Sequence, residues 1–167
     1  MNPTEFSNCF DVRLVHHQDL PTVLSLYQTN PLYFEHFPPM PSLSSVEKDW
    51  MTYPPTKSKD DKYFVGFWDN NQLVAVLDLI KGYPDEATVF IGLFMVDGRL
   101  SGRGIGTQII NELLAYLYSR FQKVRLAYVE SNSQARYFWK KVGFTPTAVT
   151  KEKNNQNIVI SEYHFCD

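Results

Sequence analysis

Val89-Phe90-Ile91-Gly92-Leu93-Phe94-Met95-Val96 runs for eight residues without a charged or hydrogen-bonding side chain. A strand with one wet face alternates polar and apolar residues, whereas one covered on both faces does not. The run therefore predicts a central strand, buried on both sides. Three glycines follow at alternate positions in Ser101-Gly102-Arg103-Gly104-Ile105-Gly106. After them Ile105, Ile109, Leu113, Leu117 and Phe121 recur every four residues, with Ile110 and Leu114 widening the stripe. That period predicts an amphipathic helix. Val124 to Val129 reads as the next strand.

Upstream, Tyr63 to Trp68 and Leu73 to Ile80 flank Asp69-Asn70-Asn71, a hairpin signal. Gly82-Tyr83-Pro84-Asp85 turns the chain into the central strand. Val12 to Val15 predicts a first strand. Asp19 and Pro21 open a helix to about Gln28, ended by Asn30-Pro31. Pro31 to Pro41 reads as irregular but apolar. Ser42 or Ser44 starts a second helix through Trp50. Downstream, Ser131 or Asn132 caps a short helix that ends near Gly143. Thr145 to Thr150 and Ile158 to Phe165 form a hairpin around the turn Lys153 to Gln156.

The fold class is therefore α/β (α+β). About seven strands, largely antiparallel, are flanked by about four helices, with one β-α-β crossover. The 167 residues fit a single domain. Hydrophobic residues at 44% and charged residues at 20% exclude a disordered chain. A net charge of -2 gives no electrostatic reason to expect nucleic acid or an acidic membrane as partner. MNPTEFSNCF carries no secretory signal, and no apolar run approaches membrane-spanning length. The expectation is a soluble cytoplasmic protein. Cys9 and Cys166 read as reduced thiols, and four scattered histidines suggest no metal site.

Of 8 Gly, three lie within Gly102 to Gly106; of 10 Pro, seven lie between Pro21 and Pro55. Glycines at a helix N-terminus can turn several N–H groups toward one anion, and the helix adds partial positive charge. Arg103 can add a charge-assisted contact. The loop lacks the lysine of a Walker A sequence and the spacing of a dinucleotide fingerprint. A glycine-rich turn without a ligand is the alternative. The second constellation is Asn132-Ser133-Gln134-Ala135-Arg136-Tyr137-Phe138-Trp139-Lys140-Lys141-Val142-Gly143-Phe144. Asn132 either presents its amide to a ligand or simply caps. Ala135, Phe138 and Trp139 share one helix face.

Together these segments resemble the GNAT superfamily of acetyl-coenzyme A-dependent N-acetyltransferases. Ser101 to Gly106 is similar to its Q/R-x-x-G-x-G/A loop, and Asn132 to Phe144 to its N-x-x-A-x-x-[FL]-Y-x-K-x-G-F segment. The likeness is strong over about residues 87 to 146. It implies a sheet splayed between the fourth and fifth strands, with acetyl-CoA as cosubstrate in the gap and no metal. By resemblance, the cofactor-binding residues are Phe94, Met95, Val96, Ser101, Gly102, Arg103, Gly104, Ile105, Gly106, Thr107, Asn132, Ala135, Phe138, Trp139 and Lys141. The backbone at Phe94 and Val96 would pair with pantetheine, and the N–H groups from Gly102 to Thr107 would hold the pyrophosphate. The domain would divide into a helical acceptor part (1–61), a cofactor-binding core (62–145) and a C-terminal hairpin (146–167).

Two departures bear on chemistry. Ser101 stands where the family has Gln or Arg. Trp139 stands where many members have a Tyr that protonates the leaving thiolate, and an indole N–H is no general acid at neutral pH. Tyr128 is the candidate replacement. Phe90 stands where some members place a carboxylate, and Glu86, of the same strand parity, is the candidate base through water. Asp78, Asp85 and Asp97 are weaker candidates, read first as solvated, capping or turn residues. Tyr33, Phe34, Phe37 and Tyr83 are the candidate substrate-binding residues, with His36 and Trp50 nearby; packing under an irregular loop is their alternative. The implied activity is direct acetyl transfer to a primary amine of a small molecule or peptide, in a possible homodimer. The rival is a non-catalytic coenzyme A-binding sensor or interaction module.

Overall fold

The structure of the protein is a computed structural model that describes residues 1–152 and 154–166. Lys153, in the predicted turn, and Asp167 lie outside the described residues. Seven strands make one sheet: β1 (Asp11–Leu14), β2 (Lys62–Asp69), β3 (Gln72–Lys81), β4 (Thr88–Val96), β5 (Lys123–Val129), β6 (Thr145–Lys151) and β7 (Asn157–His164). Their spatial order is β1-β2-β3-β4-β5-β7-β6. Every neighbouring pair is antiparallel except β4–β5, which is parallel and joined through a helix.

Among the described residues, five α-helices flank the sheet: α1 (Leu20–Gln28), α2 (Pro31–His36), α3 (Leu43–Met51), α4 (Ile105–Leu117) and α5 (Ser133–Lys141). The extra one is α2, formed where the sequence reads as irregular. Pro31 sits in its first turn, where a missing N–H loses nothing and the fixed φ suits a helix. Asn70 and Asn71 both take positive φ between β2 and β3, as a tight hairpin turn requires. The stripe of α4 is buried at Ile109, Ile110, Leu113, Leu114 and Leu117.

The two sheet faces carry separate cores. On one, Ala75, Leu77, Leu79, Val89 and Ile91 meet α4 and α5. On the other, Phe64, Val76 and Met95 meet Val23, Tyr27, Phe34 and Val46 from α1 to α3. The expectation that β4 is buried on both faces holds only for part of the strand. Val89, Ile91 and Met95 are buried, but Gly92 is exposed and Leu93, Phe94 and Val96 are half-buried. The end of β4 is pinned from α1's side. Asn30 Nδ2 donates to the Val96 carbonyl at 2.9 Å, and the Gly98 N–H donates to Thr29 Oγ1 at 2.8 Å. A Cβ on Gly98 would lie 2.0 Å from the Thr29 carbonyl oxygen, so this close approach needs glycine. Among the described residues, no helix is long and apolar enough to cross a membrane.

Glu162 on β7 locks that strand to β5. Only 6% exposed, it accepts from Arg125 Nε at 2.7 Å and lies 3.3 Å from Lys123 Nζ and 2.9 Å from His164 Nε2. Burial pushes its carboxyl up, but Arg125, His164 and Lys123 outweigh that and hold it below the usual carboxylate range. The lowered value means stability that is full above the usual carboxylate range and is lost as pH falls below that range, through the lowered value. Glu162→Gln should lower unfolding free energy by about 1–3 kcal/mol at pH 7. In urea titrations the gap between wild type and variant should close toward pH 3; a gap independent of pH would refute the linkage.

Candidate functional site

The site begins where β4 and β5 part. Their parallel ladder runs from Thr88–Lys123 to Ile91–Leu126 and stops. β4 continues to Val96 against β3, while β5 continues to Val129 against β7. The outer edge of β4 beyond Ile91 therefore has no strand partner. At the same point the β3–β4 register shifts, with Leu79 opposite Ile91 and Asp78 opposite Leu93. Gly92 is the extra residue, a β-bulge that reverses the alternation of side chains. Because of it Phe94 shares a face with Ile91, and Leu93 shares the opposite face with Asp78. A cavity of about 820 Å³ fills the gap and reaches both faces of the sheet.

On the α4–α5 side its floor is aromatic. Phe94 stacks on Phe138 at 5.9 Å between centroids, and Trp139 lies 4.9 Å from Phe138, 6.0 Å from Phe94 and 5.1 Å from Phe144. Ala135 also lines it. Asn132 caps α5, its Oδ1 accepting the Ala135 N–H at 3.0 Å, and its NH₂ plays no part in that cap. Both readings of Asn132 are thus compatible. Tyr137 faces away, 72% exposed. Gly102 and Gly104 adopt φ of 79° and 78°. No heavy atom would lie within 4 Å of a Cβ on either, so packing does not demand these glycines, although the left-handed backbone favours them. The first α4 bond outside the loop is from the Gln108 N–H to the Gly104 carbonyl. Ile105, Gly106 and Thr107 therefore keep their N–H groups free of intrahelical acceptors. Ser101 lines the cavity, while Arg103 and Lys141 are exposed and outside its lining. These residues fit a thioester cosubstrate with an anionic tail: an unpaired strand edge for its amides, an apolar floor, and free N–H groups at the loop. One lone pair of the Val96 carbonyl is already taken by Asn30.

The other side is built by α1 to α3 and β3. Tyr33, Phe34 and Phe37 line it, with Tyr33 5.0 Å from Phe34 and 6.4 Å from Phe37. Burial and then the Asp49 carboxylate push the Tyr33 phenol up to about 12. Asp49 accepts from Tyr27 Oη at 3.1 Å. Asp78 also lines the cavity and holds Lys62 Nζ at 2.7 Å; their side chains are 14% and 5% exposed. Burial pushes Asp78 up to about 6 against the opposing pull of Lys62. Above the cavity, His36 Nδ1 meets Ser131 Oγ at 2.9 Å, and Gln156 Nε2 donates to the His36 carbonyl at 2.8 Å. The end of α2 is thereby tied to the loop before α5 and to the β6–β7 turn.

Tyr128 lines the cavity at the end of β5, its phenol pushed up by burial. Of the catalytic and substrate-binding candidates, two are not brought to the cavity, and of the cofactor candidates Gly102 to Thr107 lie beside it, outside its lining. Glu86 precedes β4 at the end opposite the splay, exposed and 3.4 Å from Lys57 Nζ. The parity argument for it fails because the Gly92 bulge intervenes. Tyr83 packs edge-on against Phe90, 5.6 Å away, at that same far end. Asp85 holds the turn by accepting from Thr88 Oγ1 at 2.7 Å, and Asp97 is tied to Arg99. Sequence reasoning missed Asn30, Asp49 and Gln156. It ranked Asp78 low; an aspartate inside the apolar run Leu73 to Ile80 was the available signal.

A model of the acetyltransferase (GNAT) family matches residues 22–144. Among solved structures, the chain is similar to an acetyltransferase from Thermus thermophilus, with TM-score 0.76 and 20% identity over 93% of this chain and 96% of that one. It is similar to the Salmonella typhimurium acetyl transferase that modifies the N-terminal serine of ribosomal protein L7/L12, with TM-score 0.77 and 14% identity over 96% and 98%. It is also similar to PaiA N-acetyltransferase from Thermoplasma acidophilum in complex with coenzyme A, with TM-score 0.67 and 15% identity over 93% and 99%. At these identities the likeness to the three structures concerns the fold. A search of curated proteins gives no match.

Gly106 sets how closely α4 meets β4 and α5. A Cβ there would lie 3.2 Å from Phe138 Cε2 and 3.3 Å from Val96 Cγ2. Gly106→Val should destabilise the fold by about 1–3 kcal/mol through overpacking. Urea unfolding measures this; an unchanged midpoint would mean that the aromatic floor yields freely.

Proposed function

The chain belongs to the acetyltransferase (GNAT) family, and from that premise we propose that it transfers acetyl from acetyl-CoA to a primary amine by direct attack in a ternary complex. The observation that carries this reading is the parting of β4 and β5 around one cavity open to both faces of the sheet. Two reactants can then meet from opposite sides, which converts a bimolecular encounter into an oriented one. On one side, the N–H groups of Gly102 to Thr107 would hold the pyrophosphate, the free edge of β4 and the Asn132 amide the pantetheine, and Ala135 and Phe138 its apolar flank. Met95 and Trp139 would shape the thioester end, and Ser101, Arg103 and Lys141 would lie around the tail. On the other side, Tyr33, Phe34 and Phe37 would contact the acceptor.

The acceptor nitrogen attacks the acetyl carbon, and the carbon–sulfur bond breaks with its electron pair going to sulfur. Tyr128 would supply the proton that sulfur takes up, in place of the tyrosine that Trp139 replaces. Cys9 and Cys166 are exposed and outside the cavity lining, which favours direct transfer over a cysteine-bound acetyl. The acceptor class is a primary amine of a small molecule or of a peptide end. The Salmonella typhimurium neighbour's N-terminal serine target keeps the peptide within that class.

Acetyl-CoA should raise the melting temperature, and Gly104→Asp should abolish that shift by placing a carboxylate where the diphosphate sits. The fold should survive, since nothing lies within 4 Å of a Cβ at this position; the left-handed backbone adds about 1–2 kcal/mol. Thiol release against a panel of amines measures transfer. Tyr128→Phe should lower kcat by about 10²-fold with KM for acetyl-CoA unchanged. Binding of acetyl-CoA without turnover of any amine would overturn the enzymatic reading in favour of a coenzyme A sensor.

A further inference from the structure

We propose that Asp78 is the catalytic base, its carboxylate receiving the proton of an acceptor that enters as an ammonium ion. The inference rests on the acetyl-transfer reading and adds to it a residue on β3.

Position comes first. Asp78 is opposite Leu93, two residues past Ile91, the last β4 residue paired with β5. Its Oδ1 is engaged by Lys62 Nζ at 2.7 Å. Its Oδ2 lies over Gly92, 2.9 Å from where a Cβ would stand. Any side chain at that position would cover the oxygen; glycine leaves it facing the cavity that both residues line. One oxygen is therefore held by a fixed cation and the other is turned toward the gap.

The competing carboxylates are placed differently. Asp97 is gripped by Arg99, whose Nε lies 3.0 Å away. Asp49 takes the Tyr27 hydroxyl and stands on α3 rather than on the sheet. Glu152 is exposed on the β6–β7 hairpin. No Lys, Arg or His side chain lines the cavity among the described residues, whereas four carboxylates do. Such a wall favours an ammonium over an anionic acceptor, and Tyr33, Phe34 and Phe37 offer it ring faces.

The proton ledger closes. The ammonium gives one proton to Asp78 Oδ2, and the neutral nitrogen attacks the acetyl carbon. As the carbon–nitrogen bond forms and the carbon–sulfur bond breaks, sulfur leaves with the electron pair. Tyr128 protonates it and is restored by the second proton of nitrogen. Asp78 then releases its proton to solvent. An ammonium and a thioester have become an amide, a thiol and one proton.

The charged and titratable groups facing Asp78 are Lys62 from β2, Asp49 from α3 and Tyr27 from α1, while β4 presents none, only Gly92 and Leu93. The carboxyl, pushed up to about 6, is charged above that pH and protonated below it. Wild-type kcat should therefore plateau above about pH 7 and fall below about pH 6. Asp78→Asn should lower the plateau about 10²-fold. Its remaining rate should climb with pH toward the amine's own pKa of about 10. Lys62→Met removes the cation that stabilises the charged form, so the acid limb should move to higher pH. The test is kcat and KM from pH 5 to 10 for a panel of primary amines, with coenzyme A affinity by calorimetry, on wild type and both variants. The double variant Lys62→Met/Asp78→Asn serves if the single asparagine variant fails to fold, and should show the same lost plateau. Unchanged coenzyme A affinity with these shifted profiles supports the proposal. A variant lacking Asp78 that keeps the wild-type plateau, or a Lys62→Met limb that does not move, overturns it. Wild type that acetylates no amine overturns the acetyl-transfer reading itself.

Discussion

A strand inside a sheet must satisfy its peptide groups on both edges, and β4 does so only for its first half. Beyond Ile91 the partner on one side is gone, while β3 remains on the other. Much of what distinguishes this fold follows from that asymmetry. The bulge at Gly92 absorbs the change and swaps which side chains face which layer. Phe94 can then join the aromatic floor under α5, and Leu93 comes to lie opposite Asp78 on the face covered by α1 to α3. Asn30 and Thr29 pin the free end of β4, so the open edge stays in place without its neighbour.

The buried pair of Lys62 and Asp78 is costly by itself. Two ions taken from water are rarely repaid in full by their attraction, and an apolar pair of similar volume is often as stable. On the role proposed for Asp78, its siting under an aromatic pocket answers to chemistry rather than to folding. The Glu162 cluster on the far strands is a contrasting case. There one carboxylate serves three basic groups, away from the cavity, and joins two strands.

Elements whose signal is local were readable. The four-residue spacing of Ile109, Leu113 and Leu117 gave α4, the two asparagines gave the β2–β3 turn, and Asn132 with Gly143 bounded α5. The loop and helix of the proposed cofactor side were legible as elements for the same reason, since they are consecutive residues. The proposed acceptor side was not. Tyr33, Phe34 and Phe37 were visible as an apolar segment, but Pro31 was read as a stop when it was also a helix start. The parity that links Glu86 to Phe94 assumes an unbroken alternation, and the bulge at Gly92 breaks it. Asp78 could be placed only once β3 was registered against β4, which is a long-range fact. The His36 contacts reach residues 95 and 120 positions away, and no local pattern encodes them.

The tether at the end of α2 changes the topology of the opening. Start at the last β4–β5 rung, follow β4 to its tail, cross to α1 through Thr29 and Asn30, pass along α2 to His36, step to Ser131 and return down β5. The path closes on itself. What would have been a groove is therefore an eyelet. A groove accepts a rope laid along it; an eyelet accepts only the end of one. Anything that presents a tip, whether a chain terminus, a side chain or a free small molecule, can enter such a ring while it is shut; a continuous chain can be laid across it only if the clasp opens. The clasp is two hydrogen bonds, each worth about 0.5–1.5 kcal/mol. That is enough to hold the ring shut for most of the time, and little enough for thermal motion to release it.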